Sequence, residues 1–119
     1  MTPQPWSVQV DDSVGVARQM LAEREIHHLP VLDGDQLVGM VVERDLMRVA
    51  HRLGTTVQEV MMPAHRIDLD ASLETVLDEM DERHWDAVVV TANTGEVSGI
   101  FTAMDAVRVL REVLRRRAA

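Results

Sequence analysis

The sequence is an internal duplication, and this feature limits its possible folds more than any other. The segments "GMVVERDL" (39–46) and "GIFTAMDA" (99–106) share a glycine and an aspartate, each 60 positions from its counterpart. A duplication of this period indicates one supersecondary unit used twice. The similarity extends towards the start of each half, where the aligned pairs are Pro3 and Pro63, Val8 and Ile67, Ser13 and Ser72, and Val14 and Leu73.

Chain length determines how the two copies must be organised. A half of the 119-residue chain would bury only a marginal fraction of its surface alone, so we expect the halves to share one core. We place the first repeat at residues 1–54, a linker at 55–62 and the second repeat at 63–119. The linker, "TTVQEVMM", is predicted to contain a short helical turn before Pro63.

Both repeats show the same order of predicted elements: an extended segment, a helix, two strands and a second helix. Asp12 or Ser13 is expected to cap the first helix of one repeat, and Asp70 that of the other. Short valine-rich runs predict buried strands, and turns containing Gly34 or Gly95 lead into further strands. The predicted strands are 29–32, 37–42, 87–91 and 97–102. The closing helices are predicted to start near Arg44 and Ala103, the first of them ending at Gly54. This order predicts an α/β (α+β) fold with helices packed on sheets.

Composition excludes several classes of protein. The net charge of −8 opposes general binding to a nucleic-acid backbone. The absence of cysteine excludes disulfides and thiolate chemistry and fits a reducing compartment. No apolar run approaches the roughly 18 residues that span a bilayer, and the start of the chain does not resemble a signal peptide. We therefore expect a cytoplasmic protein that binds neither membrane nor nucleic acid.

The final segment is locally basic, with two possible explanations. Its arginines can complement the carbonyl end of a last helix, or they can form a docking site for an acidic partner. The segment contains one acid, Glu112, and five arginines: Arg108, Arg111, Arg115, Arg116 and Arg117.

The segment "TAMD" (102–105) also allows two interpretations. At a strand-to-helix junction, Thr102 and Asp105 can form a capping box, a purely structural role. The same atoms suit a nucleotide, because a helix start and a hydroxyl accommodate phosphate and a carboxylate accepts hydrogen bonds from ribose hydroxyls. The pattern is weak once but stronger when it occurs in both halves of a duplication.

The chain resembles a tandem pair of CBS domains, a Bateman module. The segments that resemble the family cover nearly the whole chain: "MTPQPWSVQVDDSV", "IHHLPVLDGDQLVGMVVERDL", "VMMPAHRIDLDASL" and "GEVSGIFTAMDAV". The resemblance implies two pseudo-symmetric β-α-β-β-α repeats packed through their sheets. It also implies two clefts between the repeats that bind AMP, ADP, ATP or S-adenosylmethionine, and it implies a homodimer that signals to an unidentified effector protein.

The resemblance assigns ribose and phosphate contacts to both junctions. In the second repeat the motif is complete, with Thr102, Met104 and Asp105, but Asp86 beside it disfavours a polyanion, so we expect a nucleoside-like ligand or S-adenosylmethionine there. In the first repeat Val42 replaces the hydroxyl residue, whereas Arg44, Asp45, His27 and His28 favour a phosphorylated ligand. Alternatively, Val42 packs in a cleft that has lost its ligand. The adenine-side residues implied are Ser7, Val8, Leu29, Pro30, Ile67 and Val88.

Other functional classes are less supported by the sequence. No histidine spacing matches a zinc site, and no nucleophile motif or phosphate-binding loop is present, so we expect no metal, no required cofactor and no enzymatic activity. Trp6 and Trp85 could stack on an adenine or pack in a core or a dimer. The leading hypothesis is a sensor of adenosine-containing ligands, and the alternative is a ligand-free dimerisation or interaction module.

Overall fold

The structure, a computed structural model, describes the backbone of residues 2–3 and all atoms of residues 6–118. It divides into two compact units: residues 5–64 form the first, and residues 65–119 together with residues 1–4 form the second. The elements in chain order are β1 (Thr2–Pro3), β2 (Val8–Gln9), α1 (Val14–Arg24), β3 (His28–Asp33), β4 (Gln36–Val42), α2 (Glu43–Arg48), β5 (Arg66–Asp68), α3 (Leu73–Arg83), β6 (Ala87–Thr91), β7 (Val97–Thr102) and α4 (Ala103–Ala118).

The first unit contains a three-stranded sheet in the order β2-β3-β4. Strands β2 and β3 are parallel, and β3 and β4 are antiparallel. The core of this unit combines valine and leucine side chains from the sheet with apolar residues of α1 and α2, because each helix buries the side that faces the sheet. The largest fully buried members of this core are Leu29, Val31, Val41, Leu46 and Val57.

The second unit repeats this arrangement and adds one strand. Its sheet has the order β1-β7-β6-β5, in which β5 and β6 are parallel and both other pairs are antiparallel. The core contains Val76 and Met80 of α3 packed with Val88, Val90 and Phe101 of the sheet. Each unit therefore contains one complete β-α-β-β-α repeat, as predicted from the sequence.

The duplication is preserved in backbone detail. Helices α1 and α3 are capped by Ser13 and Ser72, and each ends at a non-glycine residue in the left-handed region, Glu25 (φ 54°) and His84 (φ 57°). Both antiparallel hairpins shift register at the equivalent place in their inner strand. The two repeats thus have the same local geometry, so they can be compared residue by residue.

Two predicted helix ends are wrong. Asp70 does not cap α3; its backbone N–H donates to the Asp68 side chain in a turn (2.9 Å), and Ser72 accepts from the third helical residue, Thr75. Helix α2 ends at Arg48 and does not continue to Gly54. The chain turns back at Val49, whose side chain is buried in the core of the first unit, so tertiary packing overrides the helical pattern.

Residues assigned to a linker by sequence fold into the first unit. Val57, in a 3₁₀ turn (Val57–Glu59), is 0% exposed. Val14 N–H donates to the Thr55 carbonyl (3.0 Å), and Val57 N–H donates to the Asp12 carbonyl (2.8 Å). The units observed therefore differ from the boundaries drawn from sequence, because this segment is hydrogen-bonded to the start of α1.

Gly39 lies where the end of the first unit passes close to β4. Met40 and Met62 exchange two backbone hydrogen bonds of 2.8 Å, and a Cβ on Gly39 would lie 2.9 Å from the Met62 carbonyl oxygen. In the second unit β1 occupies the equivalent position, with Pro3 opposite Gly99. The glycine common to both motifs therefore allows an incoming segment to approach the strand, as the sequence indicated for Gly99.

Candidate functional site

Each repeat positions an aspartate one turn into the helix that follows its last strand. Strand β4 passes directly into α2 after Val42, and β7 passes directly into α4 after Thr102. The first helical N–H donates to the carbonyl of the residue before the neighbouring strand in both repeats: Glu43 to His27 (3.0 Å) and Ala103 to Asp86 (2.8 Å). The two junctions therefore have the same backbone geometry, and their differences arise from side chains.

At the second junction both oxygens of the aspartate already accept a hydrogen bond from within the repeat. Thr102 N–H donates to Asp105 Oδ2 (2.9 Å), and Asp105 N–H donates to Thr102 Oγ1 (3.2 Å), which is the predicted capping box. Arg108 Nη1 donates to the other carboxylate oxygen, Oδ1 (3.2 Å). Asp105 is only 9% exposed. A ligand hydroxyl at this carboxylate has to share an oxygen that already accepts a hydrogen bond.

At the first junction the equivalent carboxylate is less constrained. Val42 has no hydroxyl, so α2 has no side-chain cap. Arg48 Nη1 lies 3.6 Å from Asp45 Oδ1, which is an ion pair but too long for a good hydrogen bond. Within the part of the chain that the structure describes, no group donates a hydrogen bond to the Asp45 carboxylate. Asp45 therefore has both oxygens available to accept from a ligand.

The junctions also differ in charge. The first places His27 and Arg44 near Asp45; the His27 ring is hydrogen-bonded to the Glu43 carboxylate, and Arg44 is exposed. Arg44 forms no salt bridge with any other described residue. At the second junction the positions of these two basic residues are taken by an acid, Asp86, and by the 57%-exposed Met104. Only the first junction therefore offers unpaired positive charge for a phosphate.

Residues expected beside an adenine lie mostly inside the units. Leu29 and Val88 are 0% exposed and belong to the two cores, so they have only backbone atoms to offer a ligand. Ser7 and Ile67 are half-buried and have accessible side-chain surface. His28 is half-buried at the start of β3, opposite Val42 in the register. The remaining members, Val8 and Pro30, are buried.

A stacked arrangement of aromatic and basic side chains includes the last residue of the first helix in each repeat, and it was not predicted. Arg24 lies over the Trp6 ring, 3.8 Å from its centroid. In the second unit His65 stacks on Trp85 with centroids 4.2 Å apart, and Arg83 lies 5.3 Å from that ring. By repeat position Trp6 corresponds to His65, not to Trp85, so the tryptophans are not equivalent. The 59-residue offset between Trp6 and His65 could have shown this.

Exchange of the residues at the helix starts should alter stability in opposite directions. We expect Thr102→Val to lower the free energy of unfolding by about 1 kcal/mol, because the cap of α4 is lost. We expect Val42→Thr to raise it by about 0.5 kcal/mol, because a capping box with Asp45 becomes possible. Urea unfolding followed by circular dichroism measures both. An unchanged midpoint for Thr102→Val would contradict the role given to the box.

No cluster of three or more histidine, aspartate or glutamate side chains suited to a metal ion occurs among residues 6–118. None of the helices described is both long and apolar enough to cross a membrane.

The fold and these junctions define a class of protein: a tandem pair of β-α-β-β-α repeats, each with an acidic residue one turn into its closing helix. The CBS domain family model matches residues 1–52 and 57–112. The chain belongs to the CBS domain family, and the resemblance noted from its motifs is confirmed.

Known proteins similar to this chain include an enzyme and CBS-pair proteins. Inosine-5'-monophosphate dehydrogenase of Thermoplasma acidophilum is 30% identical over 105 residues, which cover 84% of this chain and 20% of the dehydrogenase. The chain thus spans a fifth of that relative's length, and 36% of the length of a second curated relative.

Solved structures match over nearly the whole chain. CBSX2 from Arabidopsis thaliana is 26% identical with a TM-score of 0.82, covering 97% of this chain and 93% of that one. CBSX2 has also been solved in complex with AMP, where the TM-score is 0.81 at 26% identity and the coverage is 95% and 93%. The CBS domain pair of protein MJ0100, in complex with 5'-methylthioadenosine and S-adenosyl-L-methionine, is 25% identical with a TM-score of 0.80, covering 92% and 93%.

Proposed function

We propose that this protein is a regulatory module that binds adenosine-containing ligands at its strand-to-helix junctions and signals their presence to a partner protein. It performs no catalysis of its own in this proposal and needs no cofactor. The observation that most supports the proposal is the Asp45 carboxylate, which is largely shielded from solvent (18% exposed side chain) yet receives no hydrogen bond from the described residues. A carboxylate in this state is suited to accept from the two hydroxyls of a ribose.

The ligand proposed for the first junction is a phosphorylated nucleoside such as AMP, ADP or ATP. Arg44 is exposed without a salt-bridge partner among the described residues, and charge-assisted hydrogen bonds from guanidinium to phosphate are strong. The His27 ring, which is hydrogen-bonded to the Glu43 carboxylate, lies at the same junction. The AMP complex of CBSX2, 26% identical to this chain, supports this choice of ligand.

The second junction is proposed to prefer a ligand without net negative charge. Asp86 is exposed beside the start of α4, and Asp105 adds a second carboxylate that Arg108 only partly balances. A phosphate would be repelled here, whereas adenosine or the positively charged S-adenosylmethionine would not. The CBS pair of protein MJ0100, which is 25% identical, has been solved with ligands of this kind.

The signalling part of the proposal follows from thermodynamics. A ligand changes a protein's conformational equilibrium only as far as it binds one state more tightly than another. We propose that ligand binding shifts the conformation or the dimer state of the module, that the module works as a homodimer in the cytoplasm, and that an effector protein detects the change. The competing proposal is an interaction module without ligand, which the exposed apolar residues Met47 (55%) and Leu53 (100%) favour.

Calorimetric titration of the full chain with AMP, ADP, ATP and S-adenosylmethionine tests this function. Bound nucleotide carried over from expression is first removed by unfolding and refolding, and its absence is checked by mass spectrometry. We expect saturable binding of at least one compound, together with a rise in the unfolding temperature in its presence. No heat and no stabilisation by any of the four, with each supplied at millimolar concentration, would refute the sensor and favour the interaction module.

A further inference from the structure

Three of the eight methionines of the chain meet where the first unit closes. Met62 exchanges two backbone hydrogen bonds of 2.8 Å with Met40 of β4. Met61 is half-buried and packs against the core of the first unit. Its sulfur lies against Gly39, since a Cβ built on that glycine would be 2.7 Å from Met61 Sδ. We call Met40, Met61 and Met62 the methionine cluster.

The second unit closes by the same backbone pairing with other residues. There Thr2 of β1 lies opposite Ile100 of β7. In the repeat alignment these two residues correspond to Met62 and Met40, each 60 positions away. The pairing of an incoming segment with the last strand of the sheet therefore does not require methionine at either position.

The thioether of methionine undergoes a reaction that threonine and isoleucine side chains do not. A peroxide transfers one oxygen atom to the sulfur, which is oxidised by two electrons to a sulfoxide while the peroxide is reduced to water. The product is polar, and sulfoxide reductases convert it back to the thioether. The chain contains no cysteine, so all of its sulfur is in methionine.

Exposure sets the order in which the methionine cluster reacts. Met62 is 49% exposed, so a dissolved oxidant reaches it in the folded protein. Met61 is half-buried, and a local opening of this short segment is enough to expose its sulfur. Met40 is only 6% exposed and is protected until β4 itself opens. We therefore expect Met62 to react first, Met61 next and Met40 last.

A sulfoxide at Met61 is incompatible with the packing of this side chain. If the modified side chain stays against the core, its oxygen is placed beside apolar groups without a hydrogen-bond donor, which costs free energy. If it turns towards water, its apolar contact with the core is lost instead. In both cases the segment that contains Met62 is held less firmly on β4, and the edge of this strand opens.

We propose that Met61 and Met62 are an oxidation site at which a peroxide loosens the closure of the first unit and a sulfoxide reductase restores it. Met62 gives the oxidant access, and Met61 converts the modification into a loss of packing. Strand β4 ends at Val42, two residues after Met40, so the strand that is loosened is the one that leads into the first junction. The proposal goes beyond ligand binding and is tested without nucleotide, so either proposal can fail alone.

Amide hydrogen exchange of the full chain, measured by NMR before and after treatment with millimolar hydrogen peroxide, tests the site. Peptide mass spectrometry identifies the methionines that have gained an oxygen. We expect sulfoxide at Met61 and Met62, and exchange at the N–H groups of Met40 and Met62 about tenfold faster than before treatment. Exchange at Ile100, in the equivalent pairing of the second unit, should be unchanged. Incubation with a methionine sulfoxide reductase should restore the original rates.

Matched variants separate the roles of the two residues. Met61→Leu with Met62→Leu conserves side-chain volume without sulfur, so peroxide should no longer change the exchange rates. Met61→Gln should raise these rates without any oxidant, because it places a polar group at the packed position, whereas Met62→Gln should not. The control, Met47→Leu with Met104→Leu, removes methionines that are 55% and 57% exposed and should respond to peroxide like the wild type. Thermal unfolding shows that each variant is folded before treatment.

Three results would overturn the proposal. The first is oxidation of Met47 and Met104 that leaves Met61 unmodified. The second is sulfoxide at Met61 with unchanged exchange at Met40 and Met62. The third is faster exchange in peroxide for the variant with leucine at both positions of the site, because the effect would then arise at another methionine.

Discussion

Gly39→Val should lower the free energy of unfolding by about 3 kcal/mol, at the upper end of the usual cost of overpacking. A Cβ at this position would lie 2.7 Å from Met61 Sδ and 2.9 Å from the Met62 carbonyl oxygen. The methionine thioether can move, but the carbonyl is fixed by its hydrogen bond to Met40 N–H. The strand and the incoming segment therefore have to separate. Urea unfolding of the wild type and the variant measures the difference.

Gly15→Ala is the matched control for this substitution. Gly15 lies in α1, and an added Cβ would meet only Ser13 Oγ, at 3.8 Å. Alanine is the better helix former, so we expect a gain of about 0.8 kcal/mol. If Gly39→Val were as stable as the wild type, the close packing of residues 61–62 on β4 would not be needed for the first unit to fold.

Asp45→Ala should weaken the binding of AMP by at least about a hundredfold. The carboxylate is proposed to accept from two ribose hydroxyls, and each such bond to a charged group contributes about 1.5–3 kcal/mol. Asp105→Ala should change AMP affinity little, because the second junction is proposed to disfavour phosphate. Calorimetric titration with AMP measures both affinities. S-adenosylmethionine should show the reverse dependence, with Asp105→Ala the more damaging change.

Controls for this comparison come from the chain itself. Asp35→Ala removes an exposed carboxylate in the turn between β3 and β4 and should bind both compounds like the wild type. Asp105→Ala also removes the capping box of α4, so its unfolding temperature is measured to show that it remains folded during titration. A loss of AMP binding in Asp105→Ala with Asp45→Ala unaffected would reverse our assignment of ligands to junctions.

The strands were the elements that the sequence predicted most accurately. The runs 87–91 and 97–102 were predicted with the limits that the structure shows, and the equivalents in the first repeat differ by one or two residues. A short apolar run rich in valine has few alternatives to a buried strand. The duplication also shows each strand pattern twice, which supports the prediction. A close approach was predicted for Gly99, which pairs with Pro3 of β1, and the structure shows the tight contact at its counterpart Gly39.

The ends of the helices were predicted less accurately from the sequence, because contacts with residues distant in sequence help to determine them. Helices α2 and α4 begin with the same motif, yet α2 has six residues and α4 sixteen. The difference arises after Arg48. Val49 is buried in the core, and residues 55–57 form backbone hydrogen bonds with Val14 and Asp12 at the start of α1. The local sequence pattern of α2 does not indicate these contacts with residues distant in sequence. Asp70 failed as a cap for a local reason, since its backbone N–H donates to Asp68 in a turn and Ser72 caps the helix instead.

The capping at the two junctions was predictable from the sequence, but the contacts of their side chains were not. The missing hydroxyl at Val42 implied that α2 has no side-chain cap, and Thr102 with Asp105 implied a box. The contact of Arg108 with Asp105 and that of His27 with Glu43 depend on side-chain rotamers, which spacing does not define. The sequence therefore indicated both aspartates as candidates, and the structure distinguished the occupied carboxylate from the available one.

The path of the chain has a consequence for dividing this protein into fragments. The strand that completes the edge of the second unit, β1 (Thr2–Pro3), comes from the amino-terminal part of the chain, whereas the other strands of that sheet begin at Arg66. A fragment of residues 65–119 would leave the outer edge of β7 unpaired and open to pairing with other chains. A fragment of residues 5–64 retains both partners of its own edge, Met40 and Met62. The two repeats are similar in sequence, but they are not equivalent as fragments, because removal of β1 leaves β7 of the second unit without its outer neighbour.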